Sequence, residues 1–449
     1  MLHATLDPLQ SGQLLGATHL KLACGLTELP PAVFTLADTL EVLDVSNNQL
    51  THLPADLPRL HKLRVVFASN NLFTTLPAVL GRCLQLTMIG FKANQIRHVP
   101  DDALPPGLRW LILTDNQIKQ LPDSIGQCGQ LEKLMLAGNQ LRNLPSTLAQ
   151  CQQLALLRVS ANRLGALPDW LLQMPRLAWL AFAAQAGEQS ALDVAVPSAA
   201  GEQPEGIAWS RLRLEGALGE GASGTIYSAE LDSGTSAARL VAVKLFKGSM
   251  TSDGLPDSEM TAALRAGQHP NLITALGRLT GHPDAKPGIV MPRIAPQFRP
   301  LAAPPSMASC SRDVYAANTT FTPRQVIAIA HGIASAAQHL HAPALMHGDL
   351  YAHNILLSGQ QALLGDFGAA SFTAQHSPEQ AQSLQRVEVR AFGYLLEELL
   401  ARCSNSNDPL RARLSALREA CLNDVPARRP RFEVIARILD ALAGTEIAA

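Results

Sequence analysis

One pattern recurs at a nearly constant interval through the first half of this 449-residue chain. Its clearest copy reads Leu40-x-x-Leu43-x-Val45-x-x-Asn48-x-Leu50-x-x-Leu53-Pro54. In the last copy Gln185 stands at the position of this asparagine, and residues 14–30 read as a degenerate first copy. A fixed period of this kind indicates stacked units, because one unit alone cannot bury its apolar face. After Asn48 the asparagine returns in steps of 23, 23, 22, 23 and 23 residues, at Asn71, Asn94, Asn116, Asn139 and Asn162.

The period and the pattern resemble the leucine-rich repeat. The resemblance implies an α/β solenoid in which each unit supplies one short strand with alternate apolar residues pointing inward. Each asparagine is then expected to satisfy backbone groups of adjacent coils with its side-chain amide, which is a structural role and not a catalytic one. We place this leucine-rich repeat solenoid at residues 14–185.

Three of the seven cysteines, Cys83, Cys128 and Cys151, occupy the same place in successive copies. A disulfide or a zinc site is one interpretation. The shared position favours the other interpretation, in which each cysteine is a small buried packing residue.

The strand positions on either side of the inward leucines are unusually apolar. If these positions face solvent on the concave side, they form a contiguous apolar patch, which usually marks a contact with a protein. The alternative is a register shifted by one residue, which would make them core residues. The regular asparagines favour the binding face, whose partner is another protein or the second half of this chain. Its central residues are Phe67, Met88, Trp110, Ile112 and Met135.

Residues 186–209 break the repeat. They carry acidic residues and prolines but no lysine or arginine, and they contain two copies of Ala-Gly-Glu-Gln. This composition predicts a flexible, solvated linker between two domains.

The second half contains four short motifs in a fixed order. Gly219-x-Gly221-x-x-Gly224 and Val241-Ala242-Val243-Lys244 come first, and Asp366-Phe367-Gly368 comes last. Between them, the loop from His347 to Asn354 places a proton acceptor, Asp349, five positions before a potential metal ligand. A glycine triplet alone is weak evidence. Here it lies between two strand-like runs and opens no helix, which disfavours a dinucleotide-binding fold.

Together these motifs resemble the signature set of the eukaryotic-type protein kinases. The resemblance implies an α+β bilobal protein kinase fold, which we place at residues 210–445. It also implies transfer of the γ-phosphate of ATP, with Mg²⁺, to a protein hydroxyl. Serine or threonine is favoured as the acceptor over tyrosine.

The resemblance assigns a role to each motif residue. Asp349 accepts or orients the proton of the acceptor hydroxyl, while Asn354 and Asp366 hold Mg²⁺. Lys244 holds the α- and β-phosphates and pairs with Glu259, for which a solvated helix face is the alternative interpretation. His347 is expected to be a hydrogen-bonded structural histidine. The residues expected to contact the nucleotide are Gly219, Gly221, Gly224, Ile226, Ala242, Lys244 and Met291.

Upstream of the catalytic motif, Thr322-Pro323 predicts the start of a helix. Its apolar residues recur at helical spacing, so we expect it to form the core of the larger lobe. The stripe consists of Val326, Ile329, Ala330, Ile333, Ala337 and Leu340.

Three departures from the kinase pattern leave two alternatives open. Gly348 replaces the arginine that is common before the catalytic aspartate. Tyr351 replaces the lysine of serine/threonine kinases, and no tyrosine-kinase arginine takes its place. The activation segment, from Asp366 to Glu379, is short. One alternative is a catalytically weak or inactive pseudokinase scaffold in which the repeats do the work. The other is a kinase-like phosphotransferase acting on a small molecule.

The bulk composition excludes several classes of protein. A net charge of −1 argues against a nucleic-acid binder that relies on phosphate contacts. The first residues lack the basic and apolar regions of a secretory signal, and no long uncharged apolar run predicts a membrane span. We therefore expect a soluble, cytoplasmic protein.

Overall fold

The computed structural model describes residues 2–3, 7, 9, 11–185, 206–221, 223–232, 234, 238–404 and 409–444. The chain divides into two compact units, Met1–Arg176 and Leu177–Ala449. Residues 186–205, most of the predicted linker, lie outside the described residues. The boundaries 14–185 and 210–445 stay predictions, and we note that residues 177–185 cluster with the second unit.

Parallel strands, one per coil, form the sheet of the first unit in chain order. The α/β solenoid expected from the repeats is confirmed. In the described part of this unit the strands are β1 (Leu2–His3), β2 (His19–Lys21), β3 (Val42–Asp44), β4 (Val65–Phe67), β5 (Met88–Gly90), β6 (Trp110–Ile112), β7 (Lys133–Met135) and β8 (Leu156–Arg158). The other side of the coils carries 3-10 turns at Pro31–Leu36, Leu57–Arg59, Ala78–Arg82, Asp123–Gln127 and Ser146–Gln150, and the short helix α1 (Asp169–Leu172).

The repeated asparagines join neighbouring coils. The amide nitrogen of Asn116 donates to Phe91 O at 2.9 Å and to Leu113 O at 3.0 Å, and its oxygen accepts from Ile96 N at 2.9 Å. These partners lie in the same coil and in the preceding one, so one buried side chain satisfies backbone groups of both. The predicted structural role is confirmed. The same arrangement holds at Asn48, Asn71, Asn94, Asn139 and Asn162.

Replacing Asn116 by alanine should therefore destabilise the repeats. The substitution removes four hydrogen bonds to buried backbone groups. We therefore expect the free energy of unfolding to fall by about 2–4 kcal/mol. Calorimetry of the full chain, with hydrogen exchange over residues 91–118, measures the effect. Asn143→Ala is the matched control, because Asn143 is exposed. Equal behaviour of the two variants would contradict the structural role.

The apolar strand face of the first unit requires a correction. Met88 is only 3% exposed, and it forms a buried cluster with Val42 and Val65, against which Phe67 and Trp110 pack. Open exposure of this face was therefore a wrong expectation for Met88. Neighbouring parallel strands are roughly 4.8 Å apart, so side chains on one face cover one another.

The remaining residues of the patch are half-buried. Trp110 Nε1 lies 3.4 Å from the sulfur of Met135, and the Lys133 ammonium lies 4.5 Å from the centre of the Trp110 ring. Phe67 and Ile112 are likewise half-buried. The predicted register is nevertheless correct, because the middle strand residues, from Leu43 to Leu157, are fully buried on the other face.

The cysteines that recur in the repeats are buried free thiols. The Cys151 thiol donates to Ile125 O at 3.2 Å. Burial raises the pKa of Cys128 to about 11 and that of Cys151 to about 12, so both thiols are protonated at neutral pH. Their interpretation as packing residues is confirmed.

The second unit begins with β9 (Trp179–Ala181). A six-stranded sheet follows, in the spatial order β10-β14-β15-β13-β12-β11. Helix α2 (Pro256–Arg265) lies between β13 and β14 in the sequence. Strand β10 falls inside the range predicted as linker. The strands of this sheet are β10 (Ile207–Ala208), β11 (Leu212–Glu220), β12 (Gly224–Leu231), β13 (Arg239–Phe246), β14 (Gly277–Thr280) and β15 (Gly288–Pro292), with a 3-10 turn at Trp209–Arg211.

The rest of the unit is mainly helical, and the bilobal α+β kinase fold is confirmed. Its helices are α3 (Pro323–His341), α4 (Pro378–Ala401), α5 (Pro409–Cys421) and α6 (Phe432–Gly444). Two small sheets consist of β16 (Arg299–Pro300), β17 (Leu345–Met346), β18 (Ile355–Ser358), β19 (Gln361–Leu364) and β20 (Ser371–Phe372), with 3-10 turns at Ala352–Asn354 and Pro426–Arg428.

Helix α3 forms the core of this lobe. Thr322 caps its first turn: the Thr322 hydroxyl accepts from Gln325 N, and the Gln325 side chain accepts from Thr322 N. The predicted apolar stripe from Val326 to Leu340 is fully buried, so the predicted core helix is confirmed. None of the helices in the described residues is long and apolar enough to span a membrane.

Candidate active site

The strand register gathers the predicted nucleotide-contacting residues on one face of the six-stranded sheet. Ile226 lies opposite Lys244, and Ala242 lies opposite Met291. Alternate residues of a strand share a face, so all four side chains lie on the same face. The other face packs the core of the lobe, formed by Ala229, Leu231, Val241, Val243, Leu245 and Val290 among others.

Glycine occupies the three positions of the first motif for different structural reasons. A Cβ at Gly224 would lie 2.4 Å from Leu245 O, so packing requires glycine there. A Cβ at Gly219 or Gly221 would meet no described atom within 4 Å. At these two positions packing within the described residues gives no reason for glycine, and close approach of a phosphate to the backbone supplies one.

Lys244 and Glu259 form a buried ion pair. Glu259 lies on the first turn of α2 and is 5% exposed, so its alternative interpretation as a solvated residue is wrong. The Lys244 ammonium also lies 4.0 Å from the Asp366 carboxylate. The lysine–glutamate pair and the metal-binding aspartate are the two elements that a protein kinase must have in place for transfer.

Electrostatics in this cluster work against full ionisation of Glu259. Burial, and then the negative charge of Asp366, raise the pKa of Glu259, and Lys244 only partly offsets them. Burial also lowers the pKa of Lys244, but Asp366 and Glu259 outweigh it and leave that pKa raised. The lysine is therefore charged at neutral pH, while the glutamate takes up a proton at a higher pH than an ordinary carboxyl group does.

This shift predicts an acid limb in the activity profile. As the pH falls, Glu259 is protonated above the usual carboxyl range near about 4.3, and the charged pair with Lys244 is lost. We expect kcat/KM for ATP to fall along that limb, and Glu259→Gln to be slower throughout and to lack it. The raised pKa also affects stability: the contribution of Glu259 to the free energy of unfolding falls as the pH rises through that pKa, because the buried carboxyl group then ionises. Initial rates from pH 5 to 9 test this, and a limb that survives in Glu259→Gln would contradict it.

The catalytic loop follows β17 and holds Asp349 in place. The Asn354 amide nitrogen donates to Asp349 Oδ2 at 2.8 Å and to Asp349 O at 2.9 Å. The buried His347 ring nitrogen Nε2 lies 2.9 Å from Gly365 O, its hydrogen-bond acceptor. His347 is thus a structural histidine, as predicted, and Asp349 is the acidic side chain that the loop presents.

The two predicted metal ligands match the chemistry of Mg²⁺. The amide nitrogen of Asn354 is engaged by Asp349, so its amide oxygen is the atom suited to a cation. Asp366 takes a left-handed conformation, with φ +62°, and its side chain is 50% exposed. Among the described residues no cluster of three or more His, Cys, Asp or Glu side chains forms a metal site alone. Mg²⁺ typically binds through one or two carboxylates plus phosphates and water, so this oxygen pair fits it.

Gly348 has a structural explanation that the sequence motif did not reveal. Its φ is +72°, and a Cβ there would lie 2.5 Å from Ala369 O and 2.8 Å from Leu180 O. Its N–H donates to the buried Glu388 carboxylate at 2.7 Å. An arginine, which is common here in kinases, would clash with two backbone oxygens.

Tyr351, the second departure, is buried beneath a tryptophan that sequence reasoning assigned to the repeats. Its ring stacks on Trp179 with centroids 4.1 Å apart and planes 7° from parallel. The Trp179 indole N–H donates to Leu350 O at 3.1 Å. Trp179 occupies one of the strand positions beside an inward leucine, for which the repeat pattern predicted exposure, but it is only 2% exposed, so that expectation is wrong for Trp179. The only sequence signals for this contact were the tyrosine at 351, which departs from the kinase pattern, and the tryptophan at 179 in the last repeat.

Protein-family models match both the repeat half and the kinase half of the chain. Residues 212–407 match the family model described as protein tyrosine and serine/threonine kinase. Residues 39–60 and 106–164 match two leucine-rich repeat models.

Two curated relatives match part of this chain. Fibroblast growth factor receptor 1 of Pleurodeles waltl is 29% identical over 185 residues, which cover 38% of this chain and 22% of the receptor. Serine/threonine-protein kinase PITSLRE of Drosophila melanogaster is 30% identical over 154 residues, which cover 34% of this chain and 15% of that kinase. The match thus spans less than a quarter of either relative. This chain carries leucine-rich repeats N-terminal to a domain of the protein tyrosine and serine/threonine kinase family.

Proposed function

We propose that the protein is an active, ATP-dependent protein kinase that transfers the γ-phosphate to a serine or threonine hydroxyl. The observation that carries the proposal is the assembled set of side chains: Lys244 paired with Glu259 beside Asp366, and Asp349 held by Asn354. A scaffold that had lost catalysis would not need all five residues in this arrangement.

Each residue has a task in the transfer. The Asp349 carboxylate takes up or orients the proton of the acceptor hydroxyl as the hydroxyl oxygen attacks the γ-phosphorus. The bond from that phosphorus to the β-γ bridging oxygen breaks, and ADP leaves. The Lys244 ammonium, held by Glu259, would position the α- and β-phosphates, and the absence of side chains at Gly219 and Gly221 would let the backbone approach the phosphate chain. Asn354 and Asp366 would hold Mg²⁺, which neutralises the charge between the phosphates when it is bound.

One observation favours serine or threonine as the acceptor. The loop after Asp349 lacks the arginine typical of tyrosine kinases, with Tyr351 and Ala352 in its place.

We also propose that the inner strand face of the repeats binds a protein partner or substrate. The half-buried side chains Phe67, Trp110, Ile112 and Met135 combine apolar area with aromatic rings, a composition common at protein interfaces. The need for ATP favours a cytoplasmic site of action.

Mass spectrometry of phosphorylated products tests the acceptor. The full chain is incubated with ATP, Mg²⁺ and a pool of proteins and small metabolites. New phosphoserine or phosphothreonine supports the proposal, and phosphotyrosine alone would overturn its acceptor class. Phosphorylated metabolites without modified protein would favour the small-molecule phosphotransferase, and no product would favour the pseudokinase scaffold.

Activity should not require phosphorylation of the activation segment. Three hydroxyl side chains lie between Asp366 and Glu379. Ser371 and Thr373 are buried, and the Thr373 hydroxyl donates to Ala344 O at 3.2 Å. Ser377 is exposed and caps helix α4 by accepting from Gln380 N at 3.3 Å. Gly348 replaces the arginine that grips a phosphate in many kinases. We expect phosphatase treatment to change the initial rate by less than about twofold, with removal of phosphate checked by mass spectrometry. A loss of tenfold or more would show that another basic group holds an essential phosphate.

A further inference from the structure

We propose that residues 177–185, called here the clamp segment, hold the catalytic loop and the activation segment in the arrangement that transfers phosphate. Trp179 is its main positioning residue, acting on Asp349 through the loop. This inference rests on the proposed kinase function. It assigns a catalytic support role to residues that the repeat pattern alone would assign to the solenoid, since Gln185 holds the next asparagine place.

The first contact fixes the backbone directly after Asp349. The Trp179 indole donates to Leu350 O and stacks flat on Tyr351, so it engages the two residues that follow the catalytic aspartate. All three residues are nearly fully buried. A buried stack combined with a hydrogen bond restricts the loop more than either contact alone would.

The second contact joins the same indole to helix α4. The Trp179 ring lies 5.3 Å from the Tyr394 ring, with the planes 18° apart. The Tyr394 hydroxyl accepts from Arg390 Nε at 3.2 Å, and the Arg312 guanidinium lies 4.3 Å from the Tyr394 ring. Tyr394 is therefore itself held in place, and it gives Trp179 a fixed support from which to position the loop.

The third contact reaches the activation segment. The Phe182 N–H donates to Ser371 Oγ at 3.0 Å, and the Phe182 ring packs edge-on against His376 at 5.5 Å. Ser371 also pairs with Met346 of β17, the strand that leads into the catalytic loop. One short segment therefore contacts both the catalytic loop and the activation segment.

The clamp segment takes the space of the usual regulatory arginine. Leu180 O lies 2.8 Å from the position of a Cβ at Gly348. In kinases that are regulated through the activation segment, an arginine at the position of Gly348 binds a phosphate on that segment and orders it by charge-assisted hydrogen bonds. Here a fixed backbone strand supplies the order, which explains why glycine at 348 is compatible with catalysis.

The contacts indicate support of catalysis and not inhibition. With the clamp segment docked, Lys244 is paired with Glu259, and Asp349 remains partly exposed to an acceptor. Both features belong to the transfer-competent arrangement. Loss of the clamp should therefore slow transfer.

The test compares three variants of the full chain. Trp179→Ala should lower kcat by about 10–100-fold and change KM for ATP by less than about threefold, because the nucleotide side chains are untouched. Trp179→Phe keeps the stack but loses the N–H donor, so kcat should fall by no more than about fivefold to tenfold relative to wild type. Trp170→Ala, a tryptophan change in helix α1, is the control and should leave kcat unchanged.

Hydrogen exchange provides a readout independent of activity. In Trp179→Ala, exchange should accelerate over residues 347–354 and 366–376, with the rest of the chain unchanged. Ser371→Ala, a smaller change, should accelerate only residues 366–376 and lower kcat by about threefold to tenfold.

Several results would overturn the clamp. A higher kcat in Trp179→Ala would show that the segment is an inhibitory cover. Unchanged kcat and exchange in both Trp179→Ala and Ser371→Ala would show that it positions nothing. If Trp179→Ala unfolds, unchanged kcat and exchange in Ser371→Ala alone are decisive against it. If wild type transfers no phosphate, the kinase proposal fails, and the exchange comparison still decides whether the segment orders the two loops.

Discussion

Asp349→Asn is expected to lower the turnover of phosphate transfer by about 10²–10⁴-fold while leaving the affinity for ATP nearly unchanged. The amide keeps the size of the side chain and an oxygen that can still accept from Asn354 Nδ2. It cannot take up the proton of the acceptor hydroxyl. The loss therefore falls on the chemical step and not on nucleotide binding.

Steady-state kinetics and titration with ATP separate the two effects. Asp284→Asn, an exposed change of the same chemistry, is the control and should behave as wild type. If Asp349→Asn keeps wild-type turnover, the catalytic assignment is wrong. If it loses ATP affinity as strongly as turnover, Asp349 contributes to nucleotide binding and not mainly to proton transfer.

Lys244→Met should lower kcat/KM for ATP by about 10²–10³-fold and also destabilise the fold. The ammonium group contacts Glu259 and lies near Asp366, so its removal leaves the buried Glu259 carboxylate and the half-exposed Asp366 carboxylate without their cation. Breaking a buried pair by removing one partner typically costs about 3–5 kcal/mol, whereas replacing both partners by apolar residues is often neutral.

The double variant Lys244→Met/Glu259→Met distinguishes the structural effect from the catalytic one. Its melting temperature should recover towards that of wild type, while transfer remains lost. Calorimetry and initial rates on the same samples measure both. Recovery of transfer together with stability would mean that Lys244 acts only through the fold and does not position phosphate.

The periodic and motif-borne features of this chain could be predicted from the sequence. The asparagine interval predicts the coil, because one buried amide must satisfy two neighbouring turns wherever the coils stack, as Asn116 does. The Lys244 and Glu259 pair was implied by the kinase resemblance, and the structure brings the two side chains together. The core stripe of α3 follows from helical spacing.

Contacts between distant side chains could not be predicted in this way. Periodicity identifies which face a strand residue occupies, but not that Met88 and its neighbours cover one another on that face. The hydrogen bond from Trp179 to Leu350 joins residues 171 positions apart. No sequence motif links Trp179 to Tyr351. The fold explains why Gly348 and Tyr351 both depart from the kinase pattern, because residues 179 and 180 pack against them.

The catalytic competence of the kinase domain is measured by the initial rate at which the full chain transfers label from γ-labelled ATP to protein in the presence of Mg²⁺. The assembled Lys244, Asp349 and Asp366 set predicts label that grows linearly with time and with enzyme, and that falls close to background in Asp349→Asn. If wild-type label never exceeds that of Asp349→Asn although ATP still binds, the domain is a pseudokinase and the proposed transfer does not occur.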